Sequence, residues 1–131
     1  MPTKSPSGAL SPYYFKGGQI YGMHYGSCFD DMEAFGDLMS AEEHFVMHSP
    51  IKRRILIDLY ETNLTKQMVS AFADHVLRMK TKIVKLAIAG DDKYAFRAIN
   101  NLIGKSKALE KGQLYFCSDM EDGKTWLVSE R

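Results

Sequence analysis

The run Ile55-Leu56-Ile57, inside RRILIDLYETNLTKQM, limits the possible folds more than any other part of the chain. Three consecutive apolar residues leave no side for water, so a strand here must be covered on both faces, as in parallel sheets. Directly after it, Met68, Val69, Phe72, Ala73, Val76 and Leu77 recur at helical spacing, with Lys66, Gln67, Ser70, Asp74 and Arg78 between them. A buried strand followed at once by an amphipathic helix is the repeating unit of α/β folds. The unit recurs in KIVKLAIAG, ended by Gly90, and DDKYAFRAINNLIGK, which turns Ala95, Phe96, Ile99, Leu102 and Ile103 inward and offers Gly104 as a C-cap. GQLYFC forms a last strand, and Ser118 with Glu121 makes a capping-box pattern before a short helix holding Trp126 and Leu127.

Upstream, PYYFKGGQIYGMHYG reads as a tight hairpin around Lys16-Gly17-Gly18. FDDMEAFGDLMSAEEHFVMH follows as a helix, with Asp30 and Glu33 spaced as a capping box and Met32, Phe35, Leu38, Met39, Phe45 and Val46 on its apolar face. Gly36 weakens that helix by about 1 kcal/mol relative to Ala, and Pro50 closes the segment. The expected order is β-β-α-β-α-β-α-β-α, a mainly parallel sheet with right-handed crossovers, an N-terminal antiparallel hairpin and about four helices. Residues 1–12, rich in Pro, Ser and Gly, are expected to be a flexible N-terminal segment, and residues 13–131 a single domain.

At 131 residues the length fits one domain with a real core, and 45% apolar with 25% charged residues is ordinary for a globular protein. A net charge of +1 gives no electrostatic footprint for nucleic acid or a membrane surface, and Lys52-Arg53-Arg54 reads as the solvated start of a strand. Cys28 and Cys117 lack metal or redox spacing and no apolar secretion segment precedes them, so free thiols and a cytoplasmic location are expected. His44 and His48 have the spacing of two metal ligands but no third ligand, and His24 and His75 read as surface or internally satisfied residues. GxGxxG, GxxxxGK[ST] and GxSxG are all absent. Gly90-Asp91-Asp92 opens a helix with two acids, which suits capping and opposes phosphate. Asp58 lies within a strand, ahead of Leu59-Tyr60, where a receiver-type phosphate acceptor would not sit. No cofactor and no metal is expected.

The loop between the Ile55 strand and its helix is the candidate site. Thr65 is a good N-cap, and Leu64 with Val69 suits a hydrophobic staple. Glu61, Thr62 and Asn63 are not needed for capping. They fall at the carboxyl end of an inner strand, where open α/β sheets place ligands.

With this order of elements the chain resembles the STAS superfamily of sulfate-transporter and anti-sigma-factor-antagonist domains, over about Tyr13 to Val128. The likeness is closest to small stand-alone bacterial STAS-like or CRAL-TRIO-related members. The stretches that carry it are GSCFDDMEAF, RRILIDLYETNLTKQMVSAFADHVLRM, KIVKLAIAGDDKYAFRAI and YFCSDMEDGKTWLV. In anti-sigma-factor antagonists the corresponding loop carries a Ser in an Asp-Ser-Ser/Ala-Gly motif that a partner kinase phosphorylates. Here the loop reads Glu61-Thr62-Asn63-Leu64-Thr65, with neither Ser nor Gly, which leaves Thr62 and Thr65 as the possible acceptors and sets Glu61 against the added charge. The resemblance implies a non-catalytic regulatory module that binds a protein partner through Glu61, Thr62, Asn63, Thr65 and Lys66. The alternative is a small apolar-ligand or lipid-binding protein, motivated by Tyr13, Tyr14, Tyr21, Met23 and Tyr25. An enzyme that uses Asp58 is the third reading.

Overall fold

The computed structural model describes residues 3–110 and 112–129. Its elements in chain order are β1 (Thr3–Lys4), β2 (Leu10–Ser11), β3 (Tyr13–Phe15), β4 (Gly18–His24), α1 (Met32–Met47), β5 (Arg53–Asp58), α2 (Lys66–Arg78), β6 (Ile83–Ala89), α3 (Lys93–Ser106), β7 (Leu114–Cys117) and α4 (Met120–Val128). One sheet runs β3-β4-β5-β6-β7; β3 and β4 are antiparallel and the remaining neighbours parallel. The α/β class, the four helices and the mainly parallel sheet with an antiparallel hairpin are as the sequence leads one to expect.

The two-sided burial required by Ile55-Leu56-Ile57 decides the layers. Ile55 and Ile57 face α1, α2 and α3, in a core with Tyr21, Met23, Leu86 and Ile88 from the neighbouring strands and Phe35, Phe72, Val76 and Ile99 from the helices. Leu56 faces the other side, packed with Ile20, Ala87, Ala89 and Cys117 against Leu127 of α4. Cys28 and Cys117 are free and buried, one in each of these layers. No helix among the described residues is long and apolar enough to cross a membrane.

Several helix ends differ from expectation by a residue or two. The α1 N-cap is Asp31, which accepts from the Ala34 amide at 2.9 Å, because Asp30 is engaged elsewhere. Asp119 rather than Ser118 caps α4. Helix α3 runs past Gly104 and ends on Lys107 in a left-handed conformation (φ 56°). Thr65 and Asp92 cap as expected, accepting from the Met68 and Ala95 amides at 3.2 and 3.0 Å.

The segment expected to be loose carries a second hairpin from residue 3 onward: β1 pairs with β2, and Ser5 and Ala9 are buried. Strand β3 is short, so β4 beyond Ile20 has an uncovered edge, and the hairpin lies across it. The His24 amide donates to Ser7 Oγ at 2.8 Å. Ser7 also binds Glu42 through its amide at 3.0 Å and through its hydroxyl. Tyr21 donates to the same carboxylate at 2.6 Å, so the fully buried Glu42 is satisfied from two elements. Covering a free strand edge prevents it from templating association.

Candidate functional site

The loops leaving β4 and β5 are stitched together beyond the last sheet pairing. The Ser27 amide donates to the Tyr60 carbonyl at 2.6 Å, Phe29 to Glu61 at 2.9 Å, and Asn63 to Phe29 at 2.8 Å. Phe29 and Thr62 form an isolated parallel bridge. The close approach depends on Gly26, where a Cβ would sit 2.7 Å from the Tyr60 carbonyl oxygen. Ser27, Phe29 and Glu61 all hold left-handed backbone (φ 61°, 49° and 56°). Such conformations cost about 1–3 kcal/mol each and persist where surrounding bonds over-determine them.

Thr62 is the centre of this stitching. Its side chain points inward, the residue being 8% exposed. The hydroxyl donates to the Tyr25 carbonyl at 2.7 Å and accepts from the Cys28 amide at 3.1 Å. Both hydrogen-bonding roles of the Thr62 hydroxyl, which the sequence leads one to offer to a partner or a kinase, are taken up inside the fold. A phosphate there would break two buried bonds and lie among acids.

Glu61 and Asn63 are exposed and belong to the same surface. Glu61 accepts from Ser27 Oγ at 2.9 Å, and Asn63 donates to Asp30 at 2.6 Å. With Phe29, Asp91 and Asp92 they border a shallow depression of about 390 Å³. Thr65 and Lys66 are exposed at the start of α2 but do not border it. The structure adds Phe29, Asp30, Asp91 and Asp92 to the residues read from the sequence. Phe29 is the unusual one: a large apolar side chain, 60% exposed, on backbone fixed by two hydrogen bonds, in a depression that Asp30, Glu61, Asp91 and Asp92 also border.

Two histidine assemblies flank the site. His24 Nδ1 lies 2.5 Å from Asp58 Oδ2 at the ends of β4 and β5. The hydrogen bond to Asp58 raises the His24 pKa, burial opposing it. Asp58 thus has a structural partner on the neighbouring strand. His75, fully buried, joins Tyr25 through Nε2 at 2.7 Å and Glu43 through Nδ1 at 2.9 Å. Arg78 holds Glu43 from the other side at 2.9 Å. Burial lowers the His75 pKa, and Glu43 counters it. Burial acts to raise Glu43, but the bonds from Arg78 and His75 outweigh it and the net direction is down. A neutral His75 donating from Nδ1 to Glu43 and accepting from Tyr25 at Nε2 satisfies every group.

Of the aromatic and Met residues behind the ligand-binding alternative, Tyr21, Met23 and Tyr25 are buried in the main core and Tyr14 is exposed. Tyr13 lines an apolar cavity beneath the N-terminal hairpin. The His44 and His48 rings lie 4.0 Å apart between centroids, tilted by 37°, and His48 Nδ1 lies 2.8 Å from the His44 carbonyl, as local helix-end contacts. Comparison with family models, curated proteins and solved structures found no match to this chain.

Proposed function

We propose that the protein is a non-catalytic regulatory module that docks a protein partner through Phe29 and the acidic ring of Asp30, Glu61, Asp91 and Asp92. The observation that carries this reading is the exposed Phe29 side chain, held on a left-handed backbone by the Glu61 and Asn63 loop. Interface energy concentrates in aromatic anchors that enter a pocket on the partner. A pre-set anchor loses little entropy on docking, because its backbone is already ordered. The carboxylates around it select a socket rimmed by Lys or Arg and speed the encounter.

The resemblance to anti-sigma-factor antagonists supports a regulatory role in a bacterial cytoplasm, since Glu61 of the candidate surface lies in the corresponding loop. A phospho-switch of that kind would act here through Thr65, the exposed hydroxyl of the pair. The test is affinity capture with the full chain, Phe29→Ser and, as a control on an exposed aromatic of another element, Tyr14→Ser in β3. Loss of a captured protein with Phe29→Ser alone, together with its release by salt, supports the reading. Capture unchanged by Phe29→Ser would count against it.

A further inference from the structure

On the sheet face opposite α1–α3, a cavity of about 300 Å³ opens between the N-terminal hairpin, β4 and α4. Its surface is mostly apolar, formed by Ala9, Ile20, Leu56 and Met120, and Lys124 and His24 stand on its border. Gly22 lets the hairpin roof the cavity closely, since a Cβ there would lie 3.0 Å from the Ala9 Cβ. Glycine inside a strand weakens it and marks a place where something must approach the backbone closely.

The Lys124 charge there is only loosely compensated. The Lys124 side chain is only 15% exposed. Its ammonium donates to the Tyr13 hydroxyl at 3.2 Å and lies 5.1 and 5.6 Å from the Tyr13 and Phe15 ring centroids. Its nearest carboxylate oxygen is on Glu121, 3.8 Å away on an exposed side chain. A shielded ammonium with so distant a counter-charge favours an anion more than a surface lysine does. His24 is turned by Asp58, which engages Nδ1 and leaves Nε2 as the free edge of a half-exposed ring.

We propose that this cavity binds a small amphiphilic anion, with its apolar tail over Ile20, Leu56 and Met120 and its charged end between Lys124 and His24. The volume is at the lower limit of ligand pockets, about 300–1,000 Å³, and suits a medium-chain carboxylate. The site is separate from the Phe29 surface and does not rest on the docking role.

The experiment is a titration of the labelled full chain by amide NMR with octanoate, octanol and octylamine. Octanoate is expected to give saturable shifts at Ala9, Gly22 and His24, with octylamine giving none and octanol binding at least tenfold more weakly. Lys124→Met, which keeps the apolar stem, should weaken octanoate at least tenfold, and Lys124→Arg should restore it. Phe29→Ser should leave octanoate binding unchanged. The proposal is overturned if octanoate gives no saturable shift at these residues, if octylamine binds as well as octanoate, or if Lys124→Met binds normally.

Discussion

Replacing Thr62 by Val keeps the shape of the side chain and removes only the hydroxyl. Two buried groups then lose a hydrogen bond that the structure gives them, the Tyr25 carbonyl at 2.7 Å and the Cys28 amide at 3.1 Å. An unsatisfied buried polar group costs about 1–3 kcal/mol, so two cost about 2–6 kcal/mol, and the added methyl returns about 0.8 kcal/mol, which leaves a net loss of about 1–5 kcal/mol. With a urea m-value of about 2 kcal/mol per molar, the unfolding midpoint should fall by about 0.5–2.5 M. Thr62→Ser, which keeps the hydroxyl, should lose only about 1 kcal/mol. Thr65→Val, which removes an exposed cap, should also lose about 1 kcal/mol. Equilibrium urea unfolding followed by circular dichroism measures all three. If Thr62→Val stays within about 0.5 kcal/mol of the parent, or Thr62→Ser is as damaging as Val, the inward, doubly bonded hydroxyl is wrong.

Three further outcomes are expected. The imidazole of His24 should titrate above 6.5 by NMR and return toward it in Asp58→Asn. Because the folded value is raised, the stability it contributes is full below pH 6.5 and is lost as pH rises through the folded value; titration at or below 6.5 would contradict the pairing. His75 has the opposite sign: its lowered folded value means the unfolded chain takes up the proton first, so stability should fall as pH drops below 6.5. His75→Gln should flatten that slope in urea midpoints measured from pH 7.5 to about pH 5, and an unchanged slope would remove His75 from the cause. Gly26→Ala would force a Cβ against the Tyr60 carbonyl and should cost about 1–3 kcal/mol in the same unfolding assay.

The legible part of the fold was whatever periodicity and burial demand. Ile55-Leu56-Ile57 required two covering layers, and both exist; Thr65 and Asp92 cap as their positions suggest. Residues 3–11 were not legible because their strands are two residues long, too short for any pattern, and are set by contacts with Gly22, His24 and Glu42 far along the chain. The choice of Asp31 over Asp30 as a cap turned on Asn63, 33 positions from Asp30. Glu61 and Asn63 were readable as surface polar residues of a loop. Thr62 was not readable as buried, because what turns it inward is pairing with Tyr25 and Cys28. Phe29 has no signal of its own: an aromatic between Cys28 and Asp30 fits a core as well as a surface, and only the bridge to Thr62 turns it out.

The central claim is that Phe29 is the anchor of a docking surface, and crosslinking tests it most directly. A photo-reactive phenylalanine analogue is placed at position 29, and in a control at the exposed Tyr14 of β3, in cells that normally make the protein. Irradiation should give a discrete adduct with one protein from position 29, weakened by salt and by Glu61→Lys with Asp91→Lys, and no such adduct from position 14. No adduct at position 29, or the same adduct at both positions, would contradict the account.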